Sequence, residues 1–367
     1  MNAVRRLSIV HTESSCGWGG QEIRILSEAQ GLIGRGHAVR ILCPPESRLY
    51  SESSTWGVPA EALAIAKKRV RGLSALYRWF KANRCDVVNT HSSTDSWLAA
   101  LALRALGRPF PIVRTRHISA AVSPGFLSHW LYERAAQRVV TTGEQLRAQL
   151  IEVNRISPQR VVSVPTGADA ARFRPGDRLA ARRQLGLSGQ PTLVGIVATL
   201  RSWKGHRYLV DAMKLLPDSV GLVIVGDGPQ REALERQVAE LALGSRVRMP
   251  GNQADVLPWL QALDVFALPS YANEGVPQAL VQAMLCGLAC VTTHAGSIAE
   301  LARHDATALV VPARDAQALA GAIRRLVQDE ALRRRLGEAA RKHCAENFSI
   351  EQMLDRMETI YREVSGA

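Results

Sequence analysis

Several features are absent from this sequence, and each absence excludes a class of protein. No stretch of about eighteen consecutive apolar residues occurs, so no transmembrane helix is predicted. The first residues carry charges but no apolar core long enough for a signal peptide. The six cysteines are scattered without a C-x-x-C pair, so no structural zinc is expected, and buried thiols in a reducing cytoplasm are favoured.

The positive charge is distributed unevenly along the chain. The formal net charge is +13, and residues 1–175 carry +12 of it. A basic half can face nucleic acid, anionic lipid or an acidic acceptor, and composition does not choose among these partners. The length of 367 residues is sufficient for two domains of ordinary size.

Short apolar runs alternate with helical patterns along the whole chain, which predicts α/β domains with parallel, doubly wound sheets. The strands predicted in the first half are Leu7–His11, Ala38–Cys43, Asp86–His91, Pro111–Thr115, Arg138–Thr142 and Val161–Val164. Those predicted in the second half are Thr192–Ala198, Gly221–Gly226, Arg246–Met249, Asp264–Leu268, Ala289–Thr293 and Ala308–Val311. Two Rossmann-like domains, 1–174 and 175–348, are therefore expected, with Phe173–Asp177 as the linker.

The stretch from 264 to 300 carries the most specific pattern. A buried strand is followed by a polar loop, and Pro277 is expected to open a helix. Ligands of open parallel sheets bind at the carboxyl ends of the strands, where this loop lies. The N–H groups of Gly275 and Val276, together with the helix dipole, predict a phosphate site. Glu274 beside them can accept hydrogen bonds from sugar hydroxyls, or it can simply favour the helix dipole.

Two further loops follow predicted strands. Gly19 and Gly20 end a glycine-rich loop between a strand and a helix, an arrangement that can cradle a phosphate or form a plain tight turn. Arg201 and Lys204 follow the strand Thr192–Ala198. Two cations at the end of a strand can neutralise a diphosphate as it departs.

These ordered motifs, including the segments GGQE and NEGVPQAL, resemble family 4 of the retaining glycosyltransferases with the GT-B fold. Glu274 matches the first glutamate of the Glu-x7-Glu motif of that family. Gln282 stands where the second glutamate, which holds the ribose hydroxyls, is usual. Gly19 and Gly20 match the Gly-Gly pair that approaches the donor phosphates.

The resemblance assigns roles to several other residues. His117 matches the histidine that the family places beside the donor sugar, although a lone histidine can also be a scaffold residue. Asn252 follows a predicted strand, and this strand and the loop after it are expected to cover the nucleobase. Arg201 and Lys204 match the cations of the family at a shorter spacing, and His91 is left open between a functional and a structural role.

The resemblance implies two domains that face each other across a cleft. The first, 1–174, would be the acceptor side, with a C-terminal helix at 349–367 packing back on it. The second, 175–348, would bind a nucleotide sugar. The implied reaction transfers the sugar, with retained anomeric configuration, to a lipid-linked or polysaccharide acceptor of the cell envelope, as in lipopolysaccharide synthesis.

No cofactor and no metal are expected, because the sequence lacks the Asp-x-Asp pair that metal-dependent glycosyltransferases use. Two alternatives remain at this stage. A sugar-nucleotide epimerase shares the fold, but its acid–base residues are not evident here. A nucleic-acid-binding protein would explain the basic first half but neither Glu274 nor the pair Arg201 and Lys204, so no nucleic-acid partner is predicted.

The segment 66–84 combines a helical apolar face with many cations. It is either an ordinary crossover helix or a patch that lies on an anionic membrane, with the basic cluster Lys67–Arg71 and Trp79 as an interfacial anchor. The predicted location is cytoplasmic, with peripheral association at the inner face of the cell membrane.

Overall fold

The computed structural model describes residues 5–118, 121–123, 125–187 and 192–367. The chain divides into two compact units, one formed by Met1–Thr166 with Ile350–Ala367 and the other by Gly167–Ser349. The predicted linker Phe173–Asp177 lies inside the second unit. Phe173 is buried in the core of that unit, which keeps this segment attached to it.

The first unit is built around a parallel sheet. Its strands in the described residues are β1 (Ser8–Thr12), β2 (Ala38–Cys43), β3 (Ala60–Ala62), β4 (Val87–Thr90), β5 (Ile112–Arg116), β6 (Arg138–Thr141) and β7 (Val161–Ser163). Its helices, before the chain leaves the unit, are α1 (Gly20–Gly34), α2 (Arg48–Ser53), α3 (Val70–Ala82), α4 (Ser93–Ala105), α5 (Phe126–His129) and α6 (Glu144–Glu152). The strand order is β3-β2-β1-β4-β5-β6-β7.

The second unit repeats this plan. Its strands are β8 (Thr192–Val197), β9 (Val220–Val225), β10 (Val247–Gly251), β11 (Val265–Leu268), β12 (Ala289–Thr292) and β13 (Leu309–Val310). Its helices are α7 (Arg178–Leu185), α8 (His206–Met213), α9 (Arg231–Glu240), α10 (Leu257–Gln261), α11 (Gln278–Leu285), α12 (Ala316–Gln328) and α13 (Glu330–Asn347). The strand order is β10-β9-β8-β11-β12-β13.

The last helix, α14 (Ile350–Ser365), belongs to the first unit. Its buried residues include Met357 and Tyr361, which pack with Ile9 of β1 on one face of the sheet. Val10, the next residue of the same strand, packs on the opposite face with α3 and α4. Because helices cover both faces, the strands are apolar on both sides, as expected for a parallel sheet.

The structure confirms the predicted fold class and each predicted strand, with shifts of one or two residues at the ends. The short edge strand β3 was not predicted, because its sequence Ala-Glu-Ala lacks the β-branched and aromatic residues that signal a strand. Helix α11 begins at Gln278, so Pro277 is the residue before the helix and not its first residue. Within the described ranges, no helix is long and apolar enough to cross a membrane.

Of the two alternatives for the segment 66–84, the one in which Trp79 is an interfacial anchor is wrong. The side chain of Trp79 is buried, and its indole N–H donates to Glu61 at 2.6 Å. The neighbouring Phe80 is also buried, in the core between α3 and the sheet. The apolar face of α3 therefore covers the sheet, and the exposed segment Lys67–Arg71 is part of a basic surface that also includes Arg78, Lys81 and Arg84.

Candidate active site

The loops that carry the predicted site residues of the second unit follow two adjacent strands of its sheet. Strands β8 and β11 are neighbours, although they are far apart in sequence. The connections from these two strands leave toward opposite edges of the sheet, and ligands of such folds bind at this switch point. The loop after β8 carries Arg201 and Lys204, and the loop after β11 carries Glu274.

Lys204 and Glu274 form an ion pair across the switch point. The Nζ atom of Lys204 lies 2.7 Å from Oε1 of Glu274 and 2.9 Å from Oε2. The side chain of Glu274 is 5% exposed, whereas that of Lys204 is 19% exposed. The lysine can therefore still be reached by a ligand, and its contact with both carboxylate oxygens fixes the orientation of the glutamate.

Glycine allows the loop after β8 to approach β11. Gly205 has a φ of +76°, and a Cβ at this position would overlap with the carbonyl oxygen of Pro269. The N–H of Tyr271 donates to the carbonyl of Trp203 at 2.8 Å. These contacts hold the backbone beside Lys204 against the loop that carries Glu274.

A third loop, after β12, supports Glu274 from the other side. Gly296 has a φ of +56°, and a Cβ there would overlap with the carbonyl oxygen of Glu274. The N–H of Ser297 donates to that oxygen at 3.2 Å. The backbone of Glu274 is thus enclosed between two loops, which explains how a residue outside regular secondary structure is held in place.

The backbone between Glu274 and α11 offers hydrogen-bond donors. The N–H groups of Gly275 and Val276 have no acceptor among the described residues. Both residues are buried, and they precede the N-terminus of α11, where the helix dipole favours an anion. Gln282, on the same helix, is also buried.

The structure does not bring every predicted residue into this cluster. Arg201 lies on the same turn as Lys204, whose N–H donates to its carbonyl at 3.1 Å. The side chain of Arg201 is exposed, and its guanidinium carbon lies 5.8 Å from the centre of the Trp203 ring. Asn252 is exposed after the edge strand β10, which β9 separates from β8.

In the first unit, His117 follows β5 and belongs to a row of three histidines. Its Nε2 atom lies 2.9 Å from Nδ1 of His91, and Nε2 of His91 lies 2.9 Å from Nδ1 of His11. Burial lowers the pKa of His11 and, with neighbouring cations, holds the pKa values of His91 and His117 well below the usual range. All three rings are therefore neutral at neutral pH.

Gly19 and Gly20 lie where α1 begins. Gly20 is the first residue of the helix, and the carbonyl of Gly19 accepts the first helical hydrogen bond, from Ile23, at 3.1 Å. The loop before them is held by Glu13, whose carboxylate accepts the N–H of Ser15 at 2.7 Å and the side-chain amide of Gln21.

Sequence reasoning missed two buried carboxyl groups near this loop, Glu13 and Asp95. Asp95 accepts the hydroxyl of Thr12 at 2.8 Å and forms a capping box with Ser92 at the start of α4. Burial, with the nearby charge of Asp95, raises the pKa of Glu13 to about 8. The pattern Ser92-x-x-Asp95 is the sequence signature of such a cap.

In the part of the chain that is described, no group of three or more His, Cys, Asp or Glu side chains is arranged to hold a metal ion. Cys16 is exposed, and the other five cysteines are buried free thiols.

Two family models match the chain, one in each unit. The model of glycosyltransferase family 4 matches residues 18–172, and that of the glycosyl transferases group 1 matches residues 177–343. Together they span most of both sheets and include every predicted site residue.

Curated proteins and solved structures agree with these matches. A UDP-Gal:α-D-GlcNAc-diphosphoundecaprenol α-1,3-galactosyltransferase of Escherichia coli is 28% identical over 80% of this chain and 79% of its own. A D-inositol 3-phosphate glycosyltransferase of Saccharomonospora viridis is 30% identical over 77% and 71%. The structure of HepE of Anabaena in complex with UDP and glucose has a TM-score of 0.87 at 21% identity, covering 97% of this chain and 99% of HepE. The chain therefore belongs to the family 4, group 1 glycosyltransferases, and its two parallel-sheet units have the GT-B fold.

Proposed function

We propose that this glycosyltransferase takes its sugar from a nucleoside diphosphate sugar and that the second unit binds this donor. The observation that carries the proposal is the Lys204–Glu274 pair beside the free N–H groups of Gly275 and Val276. A diphosphate needs cations and N–H donors, and a sugar needs a fixed hydrogen-bond acceptor. The switch point of the second unit offers all three within one set of loops.

In the proposed reaction the bond between the sugar anomeric carbon and the diphosphate breaks, and a bond to the acceptor oxygen forms with retained configuration. The proton of the acceptor hydroxyl leaves with the departing phosphate. Lys204, Arg201 and the N–H groups before α11 stabilise the charge that develops on the diphosphate. Glu274 accepts hydrogen bonds from hydroxyls of the transferred sugar.

The remaining predicted residues receive supporting roles. Gly19 and Gly20 let the backbone at the start of α1 approach the donor phosphates, and His117 contacts the transferred sugar. Gln282, which can both donate and accept, binds the ribose hydroxyls in place of a glutamate. Asn252 is assigned to the nucleobase side.

We propose a uridine nucleotide as the donor and a lipid-linked sugar as the acceptor. The Escherichia coli relative is named for UDP-Gal and a diphosphoundecaprenol-linked acceptor, and HepE was solved with UDP and glucose. The alternative to a lipid-linked acceptor is a small soluble phosphate, because the Saccharomonospora viridis relative is named for inositol 3-phosphate.

A thermal-shift panel tests the donor. UDP, UDP-glucose and UDP-galactose are expected to raise the unfolding midpoint, because a ligand that binds only the folded state stabilises it, whereas ADP and GDP have smaller effects. Lys204→Ala should abolish the shift, whereas Lys214→Ala, a lysine of the same unit at the end of α8, should keep it. No shift with any nucleotide would contradict the proposal.

Transfer itself is measured with a radiolabelled UDP-hexose and two acceptors, an undecaprenyl-diphosphate-linked sugar and inositol phosphate. Label in the lipid fraction supports the lipid-linked acceptor, and label only in inositol phosphate overturns it. The configuration of the product, read by NMR, decides whether it is retained.

We propose that transfer needs no metal, because Arg201 and Lys204 can supply the positive charge at the diphosphate. Activity is then expected to persist in excess EDTA. Complete loss that Mg²⁺ or Mn²⁺ restores would contradict this.

We propose that the first unit binds anionic membrane surfaces through the exposed segment Lys67–Arg71. Within it, Val70 is 83% exposed, so an apolar side chain accompanies the cations. Each cation near an anionic bilayer contributes about 1 kcal/mol, and added salt should weaken the binding. This would locate the enzyme at the cytoplasmic face of the membrane.

Flotation with anionic and neutral vesicles tests this surface. Changing Lys67, Lys68, Arg69 and Arg71 to Ser should abolish binding to anionic vesicles. The matched control removes the same charge from exposed positions of the second unit, Arg334, Arg335, Arg341 and Lys342, and should bind normally. Equal loss in both variants would show that net charge, and not this segment, determines binding.

A further inference from the structure

The hydrogen bonds along the row of three histidines in the first unit all run in the same direction, and the geometry determines which one. His11 and His91 have stacked rings, with centroids 5.2 Å apart and planes 14° apart, and His91 and His117 are 5.2 Å apart. The two N···N distances of 2.9 Å are hydrogen bonds. Each bond needs one N–H and one lone pair, so the tautomer of each ring determines that of the next.

With three neutral rings, only two arrangements satisfy both hydrogen bonds. In the inward arrangement, His117 donates from Nε2 to His91, and His91 donates to His11. In the outward arrangement, His11 donates from Nδ1 to His91, and His91 donates from Nδ1 to His117. The two arrangements differ at the ends of the row. In the inward arrangement Nε2 of His11 carries a proton and Nδ1 of His117 does not. In the outward arrangement Nδ1 of His117 carries a proton and Nε2 of His11 does not.

The inner end distinguishes between them. The Nε2 atom of His11 is buried and has no hydrogen-bond partner, and His11 is 0% exposed. The inward arrangement would leave an N–H there without an acceptor, whereas the outward one leaves only a lone pair. Buried N–H groups without a partner are rarer in proteins than acceptors without one. The positive charges of Arg24 and Arg114, which act on His91 and His117, keep both rings neutral, as both arrangements require.

We infer that His11 and His91 are positioning residues that hold His117 as its Nδ1–H tautomer. The Nδ1 atom of His117 has no hydrogen-bond partner among the described residues, and the residue is partly exposed. A sugar hydroxyl that meets this ring therefore meets a hydrogen-bond donor and not a base. The inference deepens the role proposed for His117 and rests on it only for the effect on turnover.

Two substitutions of His11 compare a hydrogen-bond donor with an acceptor at the position of Nδ1. His11→Asn retains an N–H near that position, so His91 and His117 should keep their tautomers. His11→Asp places a carboxylate there, so His91 donates to it from Nε2–H. The Nδ1 atom of His91 then accepts from Nε2–H of His117, which reverses the outer end of the row.

The tautomers are read from long-range ¹H–¹⁵N correlation spectra of the full-length protein with ¹⁵N-labelled histidine, and His117→Gln assigns the signal. We expect an Nδ1–H signal from His117 in the wild type and in His11→Asn, and an Nε2–H signal in His11→Asp. An Nε2–H signal in the wild type, or no change in His11→Asp, overturns the inference.

Turnover provides the second measurement. His11→Asp should lower kcat about tenfold, the effect of one lost hydrogen bond, and His11→Asn should keep most of the wild-type value. If the tautomer reverses in His11→Asp while kcat is unchanged, the inference about His11 and His91 stands and the sugar contact proposed for His117 is wrong.

Discussion

The two units share a strand order but fill their switch points differently. In the second unit, the ends of β8 and β11 carry the partly exposed ion pair Lys204–Glu274 and N–H groups without acceptors. In the first unit, the ends of β1 and β4 are filled with buried polar groups that bind one another, including Glu13, Asp95, His11 and His91. The same topology thus supports an open ion-paired site in one unit and a closed hydrogen-bonded network in the other.

The means of support differ as well. The second unit positions its loops by close backbone contacts at glycines, which leaves the charged side chains free to bind a ligand. The first unit positions its polar groups by side-chain hydrogen bonds that link α1, β4 and α14. One chain of bonds runs from Thr115 through Asn89 and Tyr361 to Glu28. The comparison therefore predicts that substitutions in the first unit act mainly on stability and those in the second mainly on turnover.

The largest effect is expected from Arg24→Ala in the first unit. Arg24 is fully buried, donates to the carbonyl of Val164 at 2.9 Å, and lies 3.8 Å from the carboxylate of Glu28. Removing it leaves a buried charge unpaired, so we expect a loss of about 3–5 kcal/mol in unfolding free energy. The loss is measured by urea unfolding, followed by hydrogen exchange in peptides of the first unit.

Arg40→Ala is the control for this prediction, because Arg40 pairs with Glu61 at the surface, where an ion pair contributes about 0–1 kcal/mol. Equal losses in the two variants would show that the buried network does not hold the first unit together.

In the second unit, Glu274→Ala and Arg201→Ala are expected to lower kcat by about 10²–10³ with little change in stability. Glu274 is lost as an acceptor for the sugar, and Arg201 as a cation for the diphosphate. The measurement is steady-state turnover with saturating donor, with circular dichroism to verify folding.

The matched control is Glu338→Ala, which breaks the exposed pair with Arg334 on α13 and should leave kcat unchanged. Near-normal turnover in Glu274→Ala would show that the ion pair at the switch point is structural, as the polar groups of the first unit are.

Gly205→Ala tests whether backbone contact positions the second site. A Cβ would overlap with Pro269, whereas Gly186, with a similar φ of +64°, faces only the flexible end of Arg248 at 3.7 Å. Gly186→Ala should cost about 1–2 kcal/mol from the left-handed backbone alone, and Gly205→Ala should cost more and also lower kcat. Similar losses in stability, with kcat unaffected, would argue against positioning by close contact.

The sequence predicted the sheets of both units because buried parallel strands are apolar runs with clear ends. The loops of the second site were also predictable, since each of Lys204, Glu274 and Gly275 lies between a strand and the helix that follows it. The ion pair between Lys204 and Glu274 was not predictable, because it depends on the adjacency of β8 and β11, which are distant in sequence.

The polar network of the first unit was largely missed. His11 and Glu13 each resemble an ordinary residue at the end of a strand, and Asp95 resembles an ordinary helix cap. Their perturbed pKa values arise from burial and, for Glu13, also from the charge of Asp95, neither of which is visible along the chain. Even Trp79 was wrongly assigned to the surface, because a helical pattern does not show which side of an aromatic residue meets the sheet.

The smallest expected effect is a change in how the stability of the first unit depends on pH. Burial raises the folded-state pKa of Glu13 from its usual 4.5 to about 8, so between these pH values the folded state holds a proton that the unfolded state has lost. The unfolding free energy contributed by this group therefore falls as the pH rises, by about 1 kcal/mol between pH 6 and pH 7. Glu13→Gln cannot lose a proton, so its stability should fall less over this interval. Urea unfolding at both pH values measures the difference, and Glu152→Gln, at an exposed position of the same unit, should keep the wild-type slope. If Glu13→Gln also keeps that slope, Glu13 is ionised in the folded state, and the first unit has a charged switch point as the second does.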